Sequence, residues 1–386
     1  MDIVLGVILG VIVLTILVVI HELGHGLVAK KYGVVVEEFG VGFPPKAWGK
    51  KLKNSILGKN VEYTINWLPL GGFVKLQGEH DAANKKGDYG AVSFWKKTQI
   101  LLAGVAMNWL TAAVLLSILA AVGMPHILKD QFYIKSDAQI INQPVELVGV
   151  SSGLPADRAG LRQGDKILRF AGAPLSSAKT LASLSKENAG KTVEVIYSRQ
   201  NVEYTAKVAI RASNNDKKGF LGASPSQREL IRSSWSAPIV GVGTAIQMSW
   251  VTIQGLGDVV VSGAQGLVLK LNPSENSQKV ANEKLGMLGD SVAGPVGIFG
   301  VIFPAAEKAG PTHVIMLAAI ISLTLAVMNI LPIPALDGGR WFVTALFKVL
   351  KKPLTKDLEE RIHGTGFMVL MVLVVLVTIA DIGKLS

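Results

Sequence analysis

The 386-residue chain contains no cysteine. Disulfides and thiolate metal sites are therefore excluded, and any metal has to be held by His, Asp or Glu. Charge is also scarce: 17% of the residues are charged against 49% hydrophobic, and the mean hydropathy is +0.42. That balance is too apolar for an ordinary soluble domain of this length and points to several membrane spans. The charge that remains is mostly of one sign, with a net value of +11. In a soluble protein this would suggest a nucleic-acid partner, but no nucleic-acid motif is present. Lysines beside apolar segments, facing anionic headgroups, account for it better. A basic n-region is missing too, since the chain starts Met1-Asp2 and meets its first positive charges only at Lys30 and Lys31. The first apolar run therefore reads as a retained helix with its N-terminus outside.

Residues 3–20 are uncharged, and directly after them stands His21-Glu22-Leu23-Gly24-His25. Two histidines four apart share one helix face, so both imidazoles reach the same metal, and the glutamate beside the first can meet a water on it. Placing such groups in hydrocarbon costs several kcal/mol, which marks them as functional. A helix from Ile3 to about Ala29 measures roughly 40 Å and sets the two histidines just inside the cytoplasmic boundary marked by Lys30.

Residues 1–30 thus form the first span. Residues 31–97 follow as a cytoplasmic, membrane-associated β region, basic on balance, in which Val61 to Ile65 alternates like a strand and Trp67 to Leu76 follows a glycine turn. This segment is either a free edge that receives an extended substrate by strand addition or a plain hairpin on the membrane surface. The second span, 98–124, carries Gly104 and Asn108, the latter bonding a neighbouring helix or facing the site. Residues 130–223 are expected to be an extracytoplasmic α+β domain. Gly153 to Leu168, with Gly160, Gly164 and Asp165, resembles the signature of a bacterial PDZ domain, followed by a helix at 178–186 and strands at 192–197 and 203–210. It serves either as a peptide binder or as a spacer that blocks bulky substrates.

Residues 224–312 read as an extracytoplasmic, interfacial segment. Its uncharged stretch 235–257 is kept out of the span count by parity, and 294–299 is a short piece that dips into the membrane. The third span, 313–339, ends in Asn329-Ile-Leu-Pro-Ile-Pro-Ala-Leu-Asp337-Gly-Gly. Its two prolines free backbone carbonyls, a defect tolerated at membrane depth where it lines a cavity. Asp337 is the natural third ligand for a two-histidine site. Residues 340–363 are a basic cytoplasmic loop and 364–382 the fourth span, which leaves both termini outside. The fold class expected is a polytopic α-helical membrane protein with four spans, a cytoplasmic β-hairpin or sheet, and an inserted PDZ domain.

Together, His-Glu-x-x-His in the first span, Gly-x-x-x-Asn in the second, one PDZ unit and Asn-x-x-Pro-x-Pro-x-Leu-Asp-Gly in the third resemble the site-2 protease family of intramembrane zinc metalloproteases. The likeness is to the bacterial RseP-type branch, whose best-known members carry two PDZ units where this chain has one. The resemblance implies one zinc ion held by His21, His25 and Asp337, with Glu22 as general base. It also implies that Asn329 contacts the substrate backbone and that Gly71, Gly72, Phe73, Val74 and Lys75 form the edge strand that pairs with substrate. Asn108 matches the second-span motif and is grouped with these substrate-facing residues.

The expected activity is hydrolysis of a peptide bond in or near the span of a single-span membrane protein, such as an anti-sigma factor or a signal-peptide remnant, after an earlier extracytoplasmic cut. The expected partners are that substrate, the lipid bilayer, and a peptide or C-terminus at the PDZ domain, with no nucleic acid. The enzyme would sit in the inner or plasma membrane with its site near the cytoplasmic face. A silent membrane scaffold would not need Glu22 between two metal-competent histidines. A metal transporter would show repeated halves or a second polar path, and neither is present.

Overall fold

The computed structural model describes residues 2–200, 202–216, 218–272, 274–291 and 293–385, and the chain divides into two compact units, residues 1–119 with 238–386 and residues 120–237. The first unit opens with α1 (Asp2–Lys31), uncharged from Ile3 to Ile20, then carrying His21, Glu22 and His25, and ending in two lysines in its last turn, where positive charge meets the negative end of the helix dipole. A hairpin of β1 (Val36–Ser55) and β2 (Gly58–Leu76) follows, then α2 (Phe94–Val122).

The hairpin bends back across itself. Glu38 pairs with both Lys75 and Glu62, and Gly40 with both Phe73 and Thr64, while residues 46–55 pair with 58–66. The segments therefore lie in the order 46–55, 58–66, 36–41, 72–76. Positive φ at Gly42 (78°) and Gly71 (81°) allows the two bends, a conformation that costs glycine little. Among the described residues, 72–76 is paired on one side only, which makes it an edge.

The second unit contains β3 (Met124–Pro125), β4 (Gln139–Asn142), β5 (Val145–Val150), α3 (Pro155–Arg158), β6 (Lys166–Phe170), β7 (Ala173–Pro174), α4 (Ala178–Glu187), β8 (Thr192–Arg199), β9 (Val202–Ala209), β10 (Ala223–Ser226) and β11 (Glu229–Arg232). One sheet runs β10-β5-β6-β8-β9, with β7 on β6, and a small second sheet runs β3-β11-β4. Alternation along β5 and β8 turns Val145, Leu147, Val193, Val195 and Tyr197 inward, where they meet Phe170, Leu181 and Leu161. Ser177 caps α4 by accepting from the Thr180 amide at 3.0 Å. Asp165, fully buried, receives two bonds from the Arg199 guanidinium at 2.7 and 2.8 Å and one from the Arg162 amide. The helix and strands expected from the sequence in this region all form, β8 and α4 each starting at the residue predicted.

The chain then returns to the first unit through α5 (Ala237–Lys270), α6 (Glu275–Ser291), α7 (Pro295–Gly297), a π-helical turn at Ile298–Ile302, α8 (Phe303–Ala309), α9 (Pro311–Ile330), α10 (Asp337–Val349) and α11 (Lys356–Leu385). Among the described residues five helices are long and apolar enough to cross a membrane, α1, α2, α5, α9 and α11, so the expected count of four is not the count these helices give. The fifth is α5. Its Ser and Thr content suggests interfacial polarity in sequence, but Ser249 donates to Ala245 O at 2.7 Å and Thr252 to Met248 O at 2.9 Å, so these hydroxyls are satisfied within the helix. Trp109 of α2 donates to Ser249 at 3.2 Å, which places this part of α5 alongside a span. Lys284 donates to Gln265 at 2.6 Å and Gln278 to Lys270 O at 2.9 Å, so α6 folds back along α5 and the pair is a helical hairpin.

Two further boundaries differ from expectation. The span read as 313–339 stops being helical at Ile330, because Pro332 and Pro334 cannot continue it. The stretch read as a loop, 340–363, instead holds most of α10 and the start of α11, since Val343, Leu346 and Phe347 recur at helical spacing.

Candidate metal centre

His21 and His25 lie one turn apart on α1, and Asp337 is the first residue of α10. The broken segment 331–336 brings that aspartate back across 316 residues: its Oδ2 is 3.0 Å from His21 Nε2 and 3.3 Å from His25 Nε2. The two Nε2 atoms are 3.1 Å apart. Bonds of about 2.0–2.1 Å in a tetrahedron put neighbouring donors roughly 3.3 Å apart, so this triangle fits a zinc ion with a fourth position open. Among the described residues it is the one cluster of three such ligands.

The surroundings set the tautomer of His25 and, with the Asn108 amide turned from Nδ2 to Oδ1, that of His21. His25 Nδ1 lies 2.8 Å from the Ile100 carbonyl, an acceptor only, so the proton is on Nδ1 and Nε2 keeps its lone pair. His21 Nδ1 lies 3.2 Å from the Asn108 amide, and the same amide carries a buried Oδ1 with no partner. The amide orientation that turns Oδ1 to His21 accepts the Nδ1 proton and leaves this Nε2 free as well. Asn108, grouped at first with substrate-facing residues, is 1% exposed and touches a histidine of the cluster.

Gly104 completes the cradle. A Cβ there would overlap both rings, coming within 2.7 Å of His21 Nε2, so only glycine lets α2 pass this close. The same close approach recurs at Gly338 and Gly339, whose added Cβ atoms would run into the carbonyls of Ile330, Leu331 and Ile333. The Gly-Gly after Asp337 is therefore what folds α10 against the broken segment.

Glu22 stands beside the cluster, and its Oε2 accepts from the Val74 amide at 3.1 Å. That contact ties the edge strand to the site: of the five residues expected to form it, Gly72, Phe73, Val74 and Lys75 all pair with β1, and Gly71 is the bend before them. Asn329 lies at the end of α9, where its side chain donates to Leu325 O at 3.0 Å.

Sequence reasoning did not single out the polar wall facing these groups. A cavity of about 360 Å³ is lined by Glu22, His25 and Asp337 on one side and by Arg340, Glu359 and His363 on the other. Arg340 bonds Glu79 Oε1 at 2.7 Å and also the Glu79 carbonyl, approaches Glu359 at 3.4 Å, and stacks 4.8 Å from the Tyr89 ring. Glu359 also accepts from the Asp81 amide at 2.8 Å, and His363 Nδ1 from the Ala335 amide at 3.2 Å. These bonds hold the loop after β2, the start of α10 and the start of α11 around the cavity. The available signal was Arg340 itself, a charge directly after Asp337-Gly-Gly.

Comparison with known proteins agrees with this chemistry. The model of peptidase family M50 matches residues 9–373. A Clostridium perfringens protein named as a zinc metalloprotease is 30% identical, the match covering 97% of this chain and 98% of the relative. The regulator of sigma-W protease RasP of Bacillus subtilis is 25% identical, with 98% of each chain covered. A PDZ domain of an SdrC-like protein from Listeria monocytogenes matches 21% of this chain and 86% of its own at 20% identity, with a TM-score of 0.20, too low to bear on the fold. But for short stretches at its two ends, the chain is thus matched throughout, and it belongs to peptidase family M50, the site-2 proteases, as a multi-pass membrane zinc metalloprotease.

Proposed function

We propose that this metalloprotease cuts single-span membrane proteins in or near their transmembrane segment, with His21, His25 and Asp337 holding the zinc and Glu22 acting as general base. The observation that carries the proposal is the Glu22–Val74 contact, which ties the 72–76 strand edge, paired with β1 on one side, to the glutamate beside the three convergent donors. Zinc, when bound, lowers the pKa of its water towards ~7 and polarises a carbonyl. Glu22 takes the proton from the attacking water and delivers it to the leaving amine. The edge at 72–76 supplies backbone donors and acceptors to an extended substrate segment, so the substrate helix has to unwind locally to expose its scissile bond. Asn329 contacts the substrate backbone beside it. Arg340, held by Glu79 and Glu359, keeps the segment before Asp337 in place.

The lysine-rich boundary where α1 ends and α2 begins supports a site near the cytoplasmic face; both termini lie outside provided that α5, paired with α6, does not carry the chain across. The second unit, read as an extracytoplasmic PDZ domain, rejects substrates with intact ectodomains, so the cut follows a first trimming by another protease. The B. subtilis relative is named for sigma-W, which favours a membrane-bound anti-sigma factor as the substrate class, with signal-peptide remnants as the second class. The test is cleavage of a labelled single-span substrate in detergent by the natural chain and by Glu22→Gln, with zinc measured in both. Loss of cutting with zinc retained is the expected result; cutting by the variant, or a chain that binds no zinc, would overturn the assignment.

A further inference from the structure

We infer that a second pocket, which shares no lining residue with the metal cavity, binds the phosphodiester headgroup of an anionic membrane lipid. It encloses about 610 Å³ between the start of α2, the face of α10 and the turn into α11, and four lysines line it: Lys97, Lys348, Lys352 and Lys356. Its one acidic lining residue, Asp81, is engaged with Lys97 at 2.7 Å. Lys356 lies 3.7 Å from Glu360 in an exposed pair, and among the described residues no acid pairs with Lys348 or Lys352. Several positive charges thus converge with too few counter-charges, an arrangement that a bound anion would relieve.

Its position argues for a lipid. α2 begins at Phe94 and α11 at Lys356, and both continue as apolar helices long enough to cross a membrane, so the pocket opens at the membrane boundary. α10 exposes Phe342, Leu346, Val349 and Leu350 beside Lys348, the pattern of a helix lying in the interface. Basic pockets between helices at this level are suited to anionic headgroups. The lining is also partly apolar: Phe94 lies under Lys348 Nζ at 4.3 Å, and Phe347 and Leu354 are close by. A free phosphate would gain nothing from those carbons, whereas a glycerol backbone and the first methylenes of an acyl chain would cover them.

The probe is dioctanoyl phosphatidylglycerol, titrated against the purified full chain in uncharged detergent, with dioctanoyl phosphatidylcholine and inorganic phosphate as comparators. The anionic lipid is expected to bind about tenfold or more tighter than the zwitterionic one, and K348Q/K352Q/K356Q to weaken it about a hundredfold, roughly fivefold per lysine. The triple arginine variant should retain binding, and Ala82→Trp, which blocks the pocket with every charge kept, should lose it. K50Q/K51Q/K53Q removes equal charge from β1 and should change nothing; zinc content serves as the folding check throughout. Unchanged binding by the triple glutamine variant would overturn the site, as would equal loss in the β1 control, which would mean diffuse attraction. Displacement of the lipid by inorganic phosphate at equal concentration would overturn the lipid as its ligand.

Discussion

At the scale of single residues, the metal centre depends on groups that touch no metal. If Asn108 fixes the His21 tautomer, Asn108→Ala should leave the fold intact and weaken zinc binding about 10–100-fold, the usual cost of losing an outer hydrogen-bond partner of a ligand. Competition with a chelator of known affinity measures this; unchanged affinity would leave Asn108 free for substrate. Gly104→Ala is a harsher change, because its Cβ would occupy the space of both imidazoles. Zinc content should fall with that variant even where the helices stay folded, which circular dichroism checks alongside metal analysis.

At the scale of elements, two long-range ties position what the residues do. Arg340 is buried against Glu79 and Glu359, and Arg340→Met would leave those carboxylates facing a low-dielectric wall. The expected cost is about 3 kcal/mol, the lower end for breaking a buried pair since Glu79 is partly solvated, read from denaturant unfolding in detergent. In the second unit, Asp137 accepts from the hydroxyls and amides of Ser234 and Ser236, just before α5, and these bonds hold its carboxyl down at about 2. A lowered pKa means stability that is present above the unfolded value of about 3.9 and disappears as pH falls through 2. Melting temperatures of the natural chain and Asp137→Asn should therefore differ at pH 5 and converge near pH 2; a constant gap would mean that ionisation contributes nothing.

These ties also mark how far the sequence could be read. His21 and His25 were legible because helical spacing alone brings them together, and α4 and β8 because their caps and alternation are local. Asp337 could be placed by the prolines before it and by the ligand still missing. Arg340, Glu79 and Glu359 could not, since a pair formed across 261 residues leaves no periodic trace. The doubled use of β1 was hidden for a related reason: one strand paired on both sides looks, in sequence, like any strand. The hairpin of α5 and α6 was obscured by hydroxyls that count as polar in a hydropathy window but are satisfied inside their own helix.

At the scale of the whole molecule, the second unit is an insertion that the protease unit brackets in sequence. If it acts as a filter, deleting residues 148–211 should let the enzyme cut a substrate whose ectodomain is intact, with the rate on trimmed substrate changed little; gel assays with paired substrates decide it, and unchanged selectivity would remove the filter. The proposed donors themselves come from α1 and from α10, 316 residues apart. During synthesis, then, the chain carries two histidines and a base in the membrane for most of its translation without being able to close the triangle. If these donors hold the zinc, a ribosome has to pass residue 337 before any nascent copy can become a protease, so products truncated before that point are expected to lack the activity.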